Sequence, residues 1–566
     1  MTDIINWKEL SEVEKLKYDS NYLRGTLVES LADPITGAIA DGDTQISKFH
    51  GMYLQWDRDL DKERKRQKLE PAFSFLIRLR MPGGRFTPEQ WLKMDALADK
   101  YANNTLKLTT RQTFQLHGVL KKNLKKTIQE MNDSLMDTIA ACGDVNRNVM
   151  SHANPAESPF HSEVIDLAKK VSEHLLPNTT AYHEIWLDKK LIADSKTDVE
   201  PLYGDRYLPR KFKIGIVIPP NNDSDVFSQD LGFIAIVEKA KIVGYNVSVG
   251  GGFGSTFGMP ETYPRTGTII GFCTPVQVVD VAEKVLLTQR DNGNRKNRKQ
   301  ARLKYTIDRM GVEVFTAEVE QRLGYKLESA RAFKFDRNGD DFGWKKGTDE
   351  KWHLTYFVEG GRVKDNGNQN IKTALREVAK ISDGDFILTG NQNLIVSGVS
   401  ETVKKKVDTI LKKNGVAPSE LSGLRKNSIA CVALPTCPLA FAEAERYLPT
   451  LISKVELILN EFNLFKEEIV IRMTGCPNGC GRPYLAEIGL IGKSPGYYNL
   501  YLGGSFEGTR LNTLYRETIP EEEILTELRM LIADFAENRS NGEHFGDFVI
   551  RNEYVKEIKE GKDFKH

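Results

Sequence analysis

The stretch LTTRQTFQLHGV (108–119) recurs 280 residues further on as LTGNQNLIVSGV (388–399), with Leu, Thr, Gln, Gly and Val in the same places. Upstream, an apolar run ending in PGGR (82–85) matches one ending in EGGR (359–362). Downstream, YNVSVGGGF (245–253) resembles YNLYLGGSF (498–506). Three resemblances in one order, with slowly drifting spacing, mark a duplicated module with a pseudo-two-fold arrangement. Each copy carries the same pattern. FSFLIRLRMP (73–82), TLKLTT (105–110) and TFQLHGVL (113–120) have strand character, as do WHLTYFVEGG (352–361), DFILTG (385–390) and NLIVSGV (393–399). PEQWLKMDALADKYA (88–102) and IKTALREVAKI (371–381) repeat apolar residues at the helical period. Strand–helix–strand–strand order predicts an α+β fold. Further helices are expected at 161–176, 275–290, 443–463 and 520–537. The first 70 residues read as an extended arm with polar turns, because GAIADGD (37–43) suits neither helix nor strand. KERKRQK (62–68) reads as a solvated helix or loop.

The chain has 566 residues, enough for three or four domains at about 150 residues each. Its 79 Lys and Arg against 78 Asp and Glu leave a formal charge of +1, which argues against a partner as uniformly anionic as nucleic acid. No apolar run is long enough to span a bilayer, and MTDIINWKELSEVEK has no apolar core of a secretory signal. A cytoplasmic protein is expected, with no membrane partner.

Six cysteines are too few for a disulfide scaffold. Cys142 and Cys273 stand alone and read as small buried hydrophobes. The others form two pairs, Cys431-x5-Cys437 in ACVALPTCPLA and Cys476-x3-Cys480 in TGCPNGCGRP, separated by 38 residues. Structural zinc pairs use shorter spacings than x5. The Pro- and Gly-rich surroundings offer backbone N–H groups to sulfur, which suits an iron–sulfur cluster. On spacing alone an iron–sulfur cluster is favoured, with zinc and unligated thiols left open.

Cations fall where apolar residues are expected. Arg78 and Arg80 lie in LIRLR, Arg111 interrupts the repeat, and Asn146-Arg147-Asn148 reads as a polar turn. Arg210, Lys211 and Lys213 lead into IGIVIP (214–219), and NRKNRKQARLK (294–304) follows. Any one of them reads as a satisfied salt bridge. Together, with no comparable acidic runs beside them, they suggest a pocket for a densely anionic ligand.

These motifs, with NYLRGTL, KFHGMY, RQKLEP, DVNRNVM, YLPRKFK and GNQNL, closely resemble the sirohaem sulfite and nitrite reductases essentially end to end, nearest to the haemoprotein components of assimilatory sulfite reduction. The resemblance implies a duplicated fold of three domains around the cofactors. These are paired ferredoxin-like repeats at 71–140 and 345–418, a sirohaem and substrate domain at 141–344, and a cluster-binding domain at 419–566, with residues 1–70 packing on the last. It implies a [4Fe–4S] cluster on Cys431, Cys437, Cys476 and Cys480, with Cys480 also ligating sirohaem iron. It implies sirohaem contacts from Lys107, Thr109, Arg111, Gln115, Arg210, Lys304 and Asn478, and an anion pocket of Arg78, Arg147, Lys211 and Lys213. Lys107 and Thr110 stand where some relatives carry Arg and Asn. The implied reaction is six-electron reduction of sulfite to sulfide. Nitrite reduction to ammonia is the alternative, which Lys213 disfavours, and a non-catalytic iron–sulfur protein is a second. No GxGxxG fingerprint opens a helix, GGGFG (250–254) belonging to the repeat, so electrons are expected from a separate diflavin reductase subunit, or else from ferredoxin.

Overall fold

The two copies exchange a strand. The computed structural model describes residues 5–179, 185–187, 190–193 and 200–565; short parts of the first 70 residues and of segment 141–344 lie outside these. The first five-stranded sheet runs in the order Met52–Trp56, Phe73–Arg78, Phe114–Val119, Leu106–Leu108 and Arg362–Val363. The second runs Gly343–Lys346, Trp352–Tyr356, Leu394–Val399, Asp385–Leu388 and Arg85–Phe86. Each sheet is thus completed by a two-residue strand from the other copy. Arg362 pairs with Lys107 and Arg85 with Ile387, which are corresponding positions in the repeat. The double glycines make this exchange possible. Gly84 and Gly361 hold φ of +70° and +67°, and a Cβ on either would stand 2.7 or 2.5 Å from the carbonyl of Leu388 or Leu108.

Helices Pro88–Tyr101 and Ile371–Ile381 pack on these sheets and on each other. Thr87 and Gln90 form a capping box on the first. Lys372 pairs with Asp95 at 3.2 Å, and Arg376 with Asp99 at 2.6 Å. The two modules pack side by side and their apolar faces share one continuous core.

Each ferredoxin-like module is followed by a second sheet, again duplicated. In the first half Ile214–Val217 runs parallel to Leu231–Glu238, which continues antiparallel through Lys241–Val249 to Thr268–Cys273. In the second half Ile471–Thr474 runs parallel to Ile488–Ser494, then antiparallel through Tyr497–Leu502 to Thr513–Pro520. Helices His161–His174, Val278–Asn292, Leu448–Glu461 and Glu521–Asn538 flank them. The third starts five residues later than its apolar pattern suggests, because Pro449 sits in its first turn.

The N-terminal segment differs from the expected extended arm. It contains helices Glu12–Asp19, Leu27–Ala32 and Asp41–Ile46, and the last absorbs Gly42 of GAIADGD. Asp43 explains why: its carboxylate accepts from the Thr26 N–H at 2.9 Å and the Thr26 hydroxyl at 2.7 Å, so tertiary contacts override weak propensity. Buried Lys17 donates to the Leu208 carbonyl at 2.6 Å, and Thr179 donates to Tyr22 O at 2.8 Å, laying the arm on the first half. Met52–Trp56 then joins the first sheet. Contact with the C-terminal segment comes from Arg58, which donates to Ala440 O at 2.6 Å, and from the 2.6 Å ion pair of Asp59 with Arg446.

Candidate functional site

Parallel strands place their C-terminal ends together, and the loops beyond them build sites. Cys431 follows Ser428–Ala430, while Cys476 and Cys480 follow its parallel neighbour Ile471–Thr474. Thiols far apart in sequence therefore gather at one edge. Cys431 Sγ accepts from the Gly475 N–H and Cys476 Sγ from Asn478 Nδ2, both at 3.4 Å. Burial, and next the charge of Cys480, push the Cys476 thiol up to about 12; burial, Cys480 and Cys476 push Cys431 well up. Among the described residues, no three His, Cys, Asp or Glu side chains gather to hold a single metal ion. The thiols form a looser group, near enough to feel one another's charge.

Beside Cys480 opens a narrow cleft, lined by Thr110, Arg111, Lys211, Lys213, Arg302, Asn478 and Arg482 among others. Arg111 reaches it from the turn before Phe114–Val119. Its guanidinium donates to Gln229 Oε1 at 2.6 Å and to the Asn148 carbonyl, but its buried Nε has no partner. Lys211 and Lys213 stand just before Ile214–Val217. Arg147 is brought beside them because residues 146–148 are extended along this edge and do not form the expected turn. Asn146 bridges Phe212, and the Arg147 N–H donates to Phe212 O at 3.0 Å. Arg78 ends strand Phe73–Arg78, opposite Gln115. The Gln115 amide, oriented by its surroundings, accepts from Arg78 Nε at 2.8 Å and donates to His117 Nε2 at 3.2 Å.

The cleft is short of negative charge. Burial, and then Arg210, Arg302 and Arg147, hold the Lys211 ammonium well below its usual range. Burial, and then Lys211, Arg111 and Arg302, do the same to Lys213. Burial followed by Arg147 and Arg482 pushes Arg111 down to about 9. Asp230 is already taken by Arg302, at 3.0 and 2.8 Å, and Asp144 by Arg298 at 2.7 Å. Desolvated like charges resist ionisation until an anion joins them.

The remaining residues divide. Thr109 Oγ1 accepts from the Arg111 N–H at 3.2 Å and shapes the turn, Asn478 lines the cleft, and Arg210 sits at its edge, 3.9 Å from Asp144. Lys304 donates to the carbonyls of Gly254 at 2.8 Å, Gly252 at 3.3 Å and Tyr263. Lys107 is placed differently from a cleft cation, being tied to Glu445 at 2.8 Å and to Gly360 O where the two copies meet. Arg80 is a plain salt bridge to Asp137. Sequence reasoning passed over three neighbours of the anion pocket. Cys142 Sγ lies 3.2 Å from Arg78 Nη1, the Tyr53 ring lies 5.9 Å from the Arg78 guanidinium, and Arg302 lies deep in the cleft. Tyr53 and Arg302 stood within quoted motifs, whereas Cys142 carried no signal of its own.

These features bear on the groups implied by the resemblance. Four convergent thiols suit an iron–sulfur cluster. A cleft with surplus buried cations and an orphaned Arg111 Nε suits a tetrapyrrole bearing many carboxylates, together with an anionic substrate. The donor set fits both.

Comparison with known proteins decides the family. Over 556 residues, 98% of this chain and 96% of the relative, the sequence is 60% identical to the sulfite reductase [NADPH] hemoprotein beta-component of Oceanobacillus iheyensis. The chain belongs to the sulfite reductase hemoprotein beta-component family. Proteins of the same name from Anoxybacillus flavithermus and Bacillus subtilis are 59% and 57% identical, with 98% of this chain and 97% of each relative covered. The nitrite/sulfite reductase ferredoxin-like half domain matches residues 67–134 and 345–414, confirming the duplication. The nitrite and sulphite reductase 4Fe-4S domain matches residues 167–327, the half without the paired cysteines. The solved Mycobacterium tuberculosis NirA protein shares the fold, with a TM-score of 0.78 at 23% identity over 96% of this chain and 97% of its own.

Proposed function

We propose that this chain is the catalytic component of an assimilatory sulfite reductase, carrying sulfite through six electrons to sulfide. The observation that carries the reading is the meeting, at one cleft, of Cys480 with desolvated cations that lack counter-ions. Cys431, Cys437, Cys476 and Cys480 would hold the [4Fe–4S] cluster, with Cys480 shared with sirohaem. Thr109, Arg111, Gln115, Arg210, Lys304 and Asn478 would support the sirohaem, directly or through the turns they brace, while Lys107 would act through Glu445. When bound, the paired cofactors supply a coupled redox centre that accepts electrons one after another. The chain's own residues do the rest. Arg78, Arg147, Lys211 and Lys213 draw in the sulfite dianion and neutralise its oxygens as they leave. The balance is SO₃²⁻ plus six electrons and seven protons to HS⁻ and three waters. With their charged forms disfavoured, the Lys211 and Lys213 ammonium groups are poised to release protons toward those oxygens, whereas Arg78 and Arg147 act as fixed clamps.

The domain division proposed is 71–140 with 345–418, 141–344, 419–566 and the segment 1–70. The partner proposed is a flavoprotein carrying FAD and FMN that takes electrons from NADPH, in the cytoplasm. No helix among the described residues is long and apolar enough to cross a membrane. The test is reconstitution. Purified holoprotein should reduce sulfite with reduced methyl viologen and stay inert with NADPH until the flavoprotein is added. Turnover with NADPH alone would overturn the assignment of a separate donor, and turnover only with ferredoxin would replace the flavoprotein. Absence of sirohaem bands from active protein would refute the cofactor reading.

A further inference from the structure

A pair of equivalent residues meets where the two halves join. Asp225 and Arg482, 257 positions apart, each end the loop that follows the first inner strand of their half. Each adopts the left-handed conformation, with φ of +46° and +56°, and each precedes a short 3-10 turn, Val226–Ser228 or Pro483–Leu485. Non-glycine residues held there are strained, so the surroundings over-determine them. Their side chains meet. Arg482 Nε donates to Asp225 Oδ2, and Arg472 Nη1 donates to the same oxygen at 2.6 Å, all three side chains being buried. Two identical residues facing across an axis would repel if charged. Here one copy carries an acid and the other a base, so the equivalent residues pair.

The remaining Arg482 donors point to the repeat turns. Nη1 donates to Thr110 O at 3.0 Å, and Nη2 donates to Gly390 O at 2.8 Å and Asn391 Oδ1 at 3.0 Å. Thr110 and Gly390 are themselves equivalents. One guanidinium therefore ties both copies of the turn to Asp225. At this corner the copies then diverge. Thr110 Oγ1 donates to the Cys480 carbonyl at 3.0 Å. At the equivalent corner a Cβ on Gly390 would approach the Asp223 carbonyl to 2.8 Å, and no hydroxyl is present. The hydroxyl tie exists only beside the thiol.

We propose that Thr110 and Arg482 form a positioning latch. It fixes the Cys480 backbone against the turn that carries Thr109 and Arg111, and so sets where the Cys480 sulfur stands in the cleft. The inference rests on Cys480 being the ligand shared with sirohaem. Thr110→Val keeps shape and β-branching but deletes the donor, Thr110→Ser keeps the donor, and Arg482→Lys keeps the charge but loses the multiple carbonyl contacts.

The experiment uses the purified holoprotein and follows the sirohaem visible spectrum, the rate of sirohaem release to excess apomyoglobin, and the cluster's iron and acid-labile sulfide. Thr110→Val should release sirohaem at least tenfold faster and shift the visible bands, with iron and sulfide retained. Thr110→Ser should return both readouts to wild type, and Arg482→Lys should move them the same way as Thr110→Val. Wild-type release and spectrum in Thr110→Val would overturn the latch, as would failure of Thr110→Ser to restore them. Cluster–sirohaem coupling that survived in a Cys480→Ser holoprotein would instead overturn the Cys480 assignment on which the latch depends.

Discussion

The first and second halves share a backbone plan but divide the chemistry between them. The correspondence is set by hydrogen bonds that neither half has lost. Gln112 brackets Ser151 with two bonds of 2.8 Å, and Gln392 brackets Ala430 with bonds of 2.9 and 3.3 Å. Asp230 accepts from the Lys213 N–H at 3.0 Å, and Glu487 accepts from the Val470 N–H at 2.8 Å. On this register Cys431 corresponds to His152 and Cys480 to Asp223, while Lys213 corresponds to Val470 and Arg111 to Asn391. The cleft takes Cys480 from the second half and most of its cations from the first. The opposite corner has no thiol and is closed by its own side chains, as His152 Nδ1 lies 3.1 Å from Asp223 and Nε2 lies 3.9 Å from Glu157. One plan with two fillings shows that the fold supplies places, and individual side chains decide which place is active.

The thiol side should break first. Cys480→Ser removes the sulfur proposed to join cluster and sirohaem, so sulfite reduction should fall to background and the magnetic coupling between the two centres should vanish. Coupling that survived by EPR or Mössbauer spectroscopy would move the shared ligand to another cysteine.

The closed corner should show itself through pH. Burial opposes charge on His152, but Asp223 and Glu157 overcome it and raise the imidazolium to about 9. A raised folded value means that the stabilisation is complete below the unfolded value near 6.5 and is lost as pH rises through 9. The contribution is on the order of 3 kcal/mol. Urea unfolding between pH 6 and 9.5 should therefore show wild-type protein losing stability with rising pH more steeply than His152→Gln. Parallel slopes would mean that this corner is not held by charge.

On the cation side, Lys213→Asn deletes a charge-assisted contact to a desolvated anion, at about 1.5–3 kcal/mol. Nitrite is smaller and singly charged and should lose less. The ratio of kcat/KM for sulfite over nitrite should drop about tenfold, from a differential near 1.4 kcal/mol. Equal losses for both substrates would reassign Lys213 to proton delivery or cofactor positioning.

The smallest effect is expected at Glu487. Burial, first among its influences, raises this carboxyl to about 8, so it is mostly protonated at neutral pH. Glu487 Oε2 accepts from the Val470 N–H at 2.8 Å and Oε1 from the Gly546 N–H at 2.7 Å. Glu487→Gln therefore keeps one acceptor and leaves the other N–H unpaired, a loss of about 1 kcal/mol, the low end for a buried unsatisfied donor. A loss comparable to breaking a buried ion pair, about 3–5 kcal/mol, would show that the second half keeps a working carboxylate there.

The duplication, the strands and helices of each copy, the two cysteine pairs and most of the cleft cations were legible in the order of residues. Spacing and alternation are local properties, and thiol pairs or cations inside apolar runs stand out against them. Strand exchange was not legible, because Arg85–Phe86 and Arg362–Val363 are too short to carry a period and owe their pairing to glycines that let the other copy approach. Nor was the helical N-terminal segment, whose turns are held by contacts such as Asp43 with Thr26. Lys107 and Lys211 look alike in sequence, yet one meets Glu445 and the other a cleft short of acids. The sequence by itself determined which groups are available and that they come in two copies. Only the tertiary structure decided which copy's thiols face which copy's cations, because charge balance and burial depend on neighbours hundreds of residues away.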